Sequence, residues 1–165
     1  MKANANIELA NVSEPDFSAI QQIYAYYIEE TTISLELEVP SIDELKSRRK
    51  EGYPYIVAKQ NGKVAGYAYV SPYRPRGAYK YTVELSIYVD HSALKGGIGR
   101  ILFEEIIRRC KELGFKQMLA VIAGNEQDNS IKFHERMGFV HCGLLKNFGW
   151  KHDQWVDTTL MQKAI

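Results

Sequence analysis

The sequence predicts a mixed α/β fold of the α+β kind, a central sheet with helices on both faces, and three observations lead there. First, Asn61-Gly62 separates two strand-like runs, Tyr55 to Gln60 and Lys63 to Ser71. Asn-Gly is the strongest short hairpin signal, because both central positions of a two-residue hairpin turn need positive φ. Second, Thr82 to Asp90 reads as a strand, Lys95-Gly96-Gly97-Ile98-Gly99-Arg100 as a turn, Gly97 to about Leu113 as a helix, and Met118 to Ala123 as a buried strand. A parallel crossover beside antiparallel hairpins makes the sheet mixed and covers both its faces. Third, 165 residues suffice for a single domain with a real core and are short for two.

The remaining elements follow in order. Asn6 to Val12 is a short strand. Pro15 stands near the start of an amphipathic helix whose Phe17, Ile20, Ile23, Tyr24 and Tyr27 recur at three- and four-residue steps. Ser41 caps a second helix, with Glu44 three positions on completing a capping box. In the long helix Ile98, Ile101, Leu102, Ile106 and Cys110 share one face. Ser130 to Met137 is a further helix, and strands near Val140–Leu145 and Val156–Gln162 complete the order β-α-α-β-β-β-α-β-α-β-β. No repeat, low-complexity tract or linker interrupts it.

Composition removes several function classes. A net charge of +1 gives no general attraction for nucleic acid or an anionic membrane, and 45% apolar with 25% charged residues is ordinary globular usage. The basic run Lys46, Arg48, Arg49 and Lys50 is flanked by Glu44 and Glu51 and reads as a solvated helix face. Cys110 and Cys142 are too few and too separated for a disulfide framework or a zinc site, so reduced, mostly buried thiols in a cytoplasm are expected, with no metal. The N-terminus lacks a signal-peptide pattern and no apolar stretch reaches membrane-spanning length.

The glycine-rich turn carries the chemistry. A helix opening this way leaves several backbone N–H groups unpartnered at the positive end of its dipole, and Gly97 and Gly99 let an anion approach the backbone closely. A phosphorylated cofactor is the expected ligand. A Walker loop is excluded, because Gly99 is followed by Arg100 and Ile101. A dinucleotide loop is excluded too, because Leu102 stands where its third small residue belongs.

Glu84 lies in the strand before the turn. By period-two alternation it shares a face with Thr82, Ser86 and Tyr88, more polar than the face of Val83, Leu85, Ile87 and Val89. Ser130 and His134 share a helix face four residues apart. Arg74 and Arg76 sit in a Pro- and Gly-rich loop, Tyr73 to Tyr79, ahead of the Glu84 strand. A guanidinium there can grip a carboxylate or phosphinate through two parallel hydrogen bonds.

The turn resembles the acyl-CoA pyrophosphate loop of the GNAT superfamily of N-acetyltransferases, Gln/Arg-x-x-Gly-x-Gly/Ala. Gly97 and Gly99 match its glycines, and Leu94 stands where that family usually has Gln or Arg. Further segments resemble the phosphinothricin N-acetyltransferase-like family within it: Ala78-Tyr79-Lys80-Tyr81, Thr82 to Val89, Phe133-His134-Glu135-Arg136-Met137-Gly138-Phe139, and Gly149-Trp150-Lys151-His152-Asp153-Gln154-Trp155.

The resemblance implies a mostly antiparallel sheet of about seven strands flanked by helices, acetyl-CoA as co-substrate, and transfer to the α-amine of a small amino-acid-like molecule. It makes Glu84 the general base and His134, in place of the superfamily's usual tyrosine, the candidate proton donor to the thiolate. The cofactor is expected along Ile87, Tyr88 and Val89, on the turn from Leu94 to Arg100 (Lys95, Gly96, Gly97, Ile98 and Gly99 included), and at Ser130. The oxyanion donor falls around Tyr88 or Val89. Asn125 and Asn129 compete for an asparagine contact whose usual position is occupied by Gln127. Tyr26, Tyr27 and Thr32 resemble residues that wall the acceptor site, joined by Arg74, Arg76 and Tyr79. Trp150 and Trp155 read as core or dimer-interface aromatics, and a homodimer is expected. Direct transfer is implied, since no cysteine or serine sits where a covalent acetyl-enzyme needs it. The alternatives are acetylation of a protein or peptide amine, and a catalytically silent acyl-CoA-binding module.

Overall fold

In the computed structural model, which describes residues 6–125 and 128–165, the strands are β1 (Ile7–Asn11), β2 (Tyr55–Gln60), β3 (Lys63–Pro72), β4 (Thr82–Val89), β5 (Gln117–Ala123), β6 (Val140–Lys151) and β7 (Gln154–Ala164). They form one sheet in the order β1-β2-β3-β4-β5-β7-β6. Only the β4–β5 pair is parallel. The helices are α1 (Asp16–Glu29), α2 (Ile42–Ser47), α3 (Ile98–Glu112) and α4 (Asn129–Arg136). The mostly antiparallel mixed sheet expected from the sequence is the one observed.

Alternation along the strands builds two cores. Ile56 and Ala58, Ala68 and Val70, and Val83 and Leu85 turn to one face, where α3 and α4 cover them with Ile98, Leu102, Ile106 and Ile131. Tyr55, Val57 and Tyr67 turn to the other and meet Phe17, Ile20, Ile23, Tyr24 and Tyr27 of α1 and Leu45 of α2. Both hairpin and cap signals behave as read: Asn61 and Gly62 take φ of 52° and 78°, and Ser41 and Glu44 form the reciprocal capping box.

Four expectations need correction. The strand read as Val140–Leu145 runs on to Lys151, because register shifts between His141 and Gly143 and between Leu145 and Gly149 break the alternation that would have marked its length. Cys110 is buried, but Cys142 on that edge strand is exposed. Trp150 and Trp155, at 53% and 58% exposure, are not core residues. The basic run straddles the end of α2 rather than lying on one solvated face. Arg48 turns inward to Glu36 (2.5 Å), while Lys46 and Arg49 pair with Glu14.

Candidate active site

The site begins where two parallel strands part. β4 and β5 pair only from Thr82, opposite Gln117, to Glu84, opposite Leu119. Beyond that point β4 keeps its pairing with β3, Leu85 to Val89 lying opposite Val70 to Gly66, and its other edge is open. The Asp90 amide donates to the Ala65 carbonyl, and the Tyr73 amide donates to the Thr82 carbonyl. Even-numbered peptides of β4 therefore face β3, and the odd-numbered Leu85, Ile87 and Val89 turn their N–H and C=O groups into the gap. Of the two expected oxyanion donors, Tyr88 has its N–H committed to β3. The Val89 N–H lies on the open edge, while its carbonyl accepts from the Tyr27 hydroxyl.

At the end of this gap α3 opens. Its N-cap, Gly97, is left-handed at φ 81°, as is Lys95 at φ 69°, and no side chain among the described residues caps the helix. The first intrahelical bond runs from the Ile101 amide to the Gly97 carbonyl, so the amides up to Arg100 have no partner within the helix. No acidic side chain lies in the first turn to satisfy the dipole. A Cβ at Gly97 would meet no atom of the described residues within 4 Å, so they leave the space above the turn open. These uncapped amides border a cleft of about 1110 Å³ that runs between β4, α3 and α4. Cleft size, free amides and open backbone fit a long diphosphate-bearing molecule such as coenzyme A.

The cleft shares Ile33, Ile87, Tyr88, Ser130 and His134 with a second cavity of about 400 Å³ that holds Glu84. Glu84 is half-buried and has no hydrogen bond or ion pair among the described residues. Burial alone pushes its carboxyl above the ordinary value of 4.5. His134 is buried, packed edge-on between Phe133 and Phe139. Its Nδ1 lies 2.7 Å from the Ser130 carbonyl, which can only accept, so Nδ1 carries the proton and Nε2 a lone pair. Burial lowers the pKa of this imidazole and keeps it neutral.

The cleft gathers most of the residues expected at the cofactor: Ile87, Tyr88 and Val89, Leu94 and Lys95, Gly97 through Arg100, and Asn129 and Ser130. Gly96 does not line it. Its amide donates back to the Ala93 carbonyl, and a Cβ there would stand 3.2 Å from that oxygen, so this glycine serves the turn. Asn129 borders the cleft and Asn125 does not; Gln127 lies outside the described residues. Tyr27 lines the cleft, whereas Tyr26 stacks on His91 at 3.9 Å. Thr32 lines neither cavity.

The arginine loop departs furthest from expectation. Arg74, Arg76 and Tyr79 are exposed and border neither cavity. The Arg74 guanidinium lies over the Tyr73 ring, and Tyr79 packs edge-on against Tyr73. What walls the Glu84 cavity instead is Ile33, Ser34, Leu35 and Glu36, together with β5 from Ala120 to Ala123. Ile33 to Glu36 belong to the run Ile33-Ser34-Leu35-Glu36-Leu37-Glu38-Val39, which alternates apolar and polar residues as a strand does but forms none, and it carries no chemical motif that marks it as a cavity wall. The signal it offers is that alternation, in which Leu37 and Val39 continue the apolar series of Ile33 and Leu35.

Comparison with known proteins agrees with this geometry. The family described as "Acetyltransferase (GNAT) domain" matches residues 9–160. Phosphinothricin N-acetyltransferase of Alcaligenes faecalis is 38% identical over 158 residues, 93% of this chain and 80% of that protein. The L-methionine sulfoximine/L-methionine sulfone acetyltransferase of Salmonella typhimurium is 34% identical over 157 residues, 91% of this chain and 90% of its own length. Among solved structures, a GNAT superfamily phosphinothricin acetyltransferase from Sinorhizobium meliloti in complex with AcCoA superposes with a TM-score of 0.90 at 39% identity, covering 96% of this chain and 88% of the other.

Proposed function

From the premise that this chain belongs to the GNAT acetyltransferase family, we propose that it transfers acetyl from acetyl-CoA directly to the α-amine of a small amino-acid-like acceptor, with Glu84 as general base. Phosphinothricin, methionine sulfoximine and methionine sulfone are the acceptors its relatives point to. The observation that carries the reading is one half-buried carboxylate without a partner among the described residues, in a cavity that adjoins the cleft bordered by the uncapped turn of α3.

Each residue has a task in this reading. The amides from Gly97 to Arg100 hold the diphosphate. Acetyl-CoA, when bound, supplies a thioester carbonyl. The Val89 N–H, on the open edge of β4, donates to that oxygen as it gains negative charge. Glu84 takes a proton from the acceptor's ammonium, alone or through a water, and so frees the lone pair that attacks. Neutral His134 has no proton on Nε2 to give. His134 can only accept through Nε2, and the proton that the departing thiolate takes up comes from the substrate's amine nitrogen, which is cationic once it has attacked the thioester carbon.

A thiol-release assay with acetyl-CoA tests the reading. Phosphinothricin, methionine sulfoximine, methionine sulfone, the common amino acids and short peptides are offered in parallel, and thiol release with at least one amino-acid-like acceptor is expected. Turnover on peptides alone would move the assignment to protein or peptide amines. Coenzyme binding with no transfer at all would make the chain a silent acyl-CoA module.

A homodimer belongs to the same proposal. Trp150 and Trp155 face each other across β6 and β7, edge-on at 5.2 Å, and Phe148 beside them is 67% exposed. So much aromatic surface on an edge hairpin favours burial against a second copy. Light scattering is expected to give twice the 18.9 kDa chain mass, and Trp155→Asp to return it to one chain. A monomeric wild type at micromolar concentration would remove the dimer.

A further inference from the structure

Residues 31 to 38, between α1 and α2, form no helix or strand, yet Ile33 to Glu36 wall the Glu84 cavity. With no backbone ladder, side-chain ties set where that wall stands. Three come from the helices on its own side. Tyr24 Oη and Ser34 Oγ are 2.9 Å apart, Arg48 donates to Glu36, and Gln21 donates to the Pro40 carbonyl at 2.8 Å.

The opposite side is held from β6. Lys151 ends that strand, just before the left-handed pair His152 and Asp153 (φ 50° and 55°), which closes the hairpin to β7. Its side chain is only 2% exposed, and its Nζ donates to the Ser34 carbonyl at 2.6 Å. Two residues earlier, Gly149 leaves room for Leu35. A Cβ there would come within 3.1 Å of both Leu35 methyls. A buried ammonium is costly to keep unless it is bonded, and burial lowers the pKa of this one while the charge of Glu36 opposes that shift.

We propose that Lys151 is a positioning residue for the acceptor: from the tip of the β6–β7 hairpin it latches the Ser34 wall over Glu84, so that acceptor affinity depends on it and acetyl-CoA affinity does not. The inference rests on the acetyl-transfer reading above. The separation follows from geometry, since the latched Ser34 and its neighbours Leu35 and Glu36 do not line the coenzyme cleft, which the wall reaches only through Ile33. Breaking the latch leaves the turn of α3 untouched.

Lys151→Met keeps the aliphatic stem and removes the donor. Steady-state kinetics on the full chain, with the best acceptor from the panel, should show the acceptor KM rising about tenfold, the scale of one lost buried hydrogen bond from a charged donor. The acetyl-CoA KM should stay within about twofold, and amide exchange across residues 33–38 should accelerate. Tyr24→Phe, which removes the other tie to Ser34, should move the same quantities in the same direction by less, and it decides the question if Lys151→Met does not fold. An unchanged acceptor KM, or both KM values rising together, overturns the latch. A wild type inactive towards every acceptor overturns the acetyl-transfer reading and the latch with it, and that result is distinct, because no variant then has an acceptor KM at all.

Discussion

Glu84→Gln is expected to lower turnover at least ~10²-fold, the range over which a positioned general base contributes, while coenzyme affinity stays within about twofold. The substitution preserves shape while removing the negative charge and the ability to take a proton. Glu84 lies outside the cleft that holds the α3 turn, so the coenzyme's contacts are unaffected. The wild-type pH profile should carry the same signature. Burial raises the Glu84 pKa from 4.5, which brings the base closer to working pH, and kcat/KM should fall as pH drops through that raised value. The acidic limb should be missing in the variant. Near-normal turnover, or an unchanged acidic limb, would take Glu84 out of the mechanism.

Stability should move the other way. A carboxyl whose folded pKa is raised binds its proton more tightly in the folded protein than in the unfolded chain. Its favourable contribution is fully present below the unfolded value of 4.5 and is lost as pH rises through the folded one. At neutral pH the ionised carboxylate, unpartnered among the described residues, is therefore a cost to folding, and glutamine avoids it. Thermal unfolding of Glu84→Gln at neutral pH should occur no lower than wild type, with any advantage shrinking in acid. A variant both inactive and clearly less stable would mean that the lost activity reports damage to the fold rather than a lost base.

Why some features were legible in the sequence and others were not has a physical explanation. Asn61-Gly62, the Ser41–Glu44 capping box and the i, i+3, i+4 pattern of α1 act over a few residues, where local backbone energetics decide. Each was found where it was read. The full length of β6 was hidden, because its bulges break the period that identifies a strand. The exposure of Trp150 and Trp155 was hidden as well. An aromatic pair on an edge hairpin has the same composition as a core pair, and only topology separates the two.

The site divides along the same line. The turn from Leu94 to Arg100 and the alternation that puts Glu84 on the α1 face are local, and both were readable. Two facts were not. The parting of β4 from β5 after Glu84 depends on which strands neighbour each other, and it selects Val89 over Tyr88 as the free donor. The wall of the Glu84 cavity comes from a segment whose strand-like alternation joins no sheet, and it is held by Lys151, 117 residues away in sequence, so no window along the chain contains both partners. The arginine loop shows the same dependence on topology. Its residue types suit anion recognition, but Arg74 and Arg76 project into solvent at the β3–β4 connection, away from either cavity.

Gly97→Val is expected to weaken acetyl-CoA binding about 10²-fold, read by calorimetry with coenzyme A, and to cost about 1–2 kcal/mol of stability. Two effects separate here. The left-handed φ of 81° strains any residue with a Cβ, most of all a β-branched one, and that strain is felt with or without ligand. The new side chain also projects where nothing lies within 4 Å, which is the space the diphosphate needs in order to reach the α3 amides. Gly97→Asn divides the two, because asparagine accepts the left-handed conformation at little cost but still carries a side chain into that space. If Asn restores thermal stability while coenzyme affinity stays low, the glycine is there for the close approach of backbone to phosphate. If Asn restores both, it is there for the turn. Retained affinity in the valine variant would mean that the diphosphate does not lie on this turn, and the assignment of the cleft would fall with it.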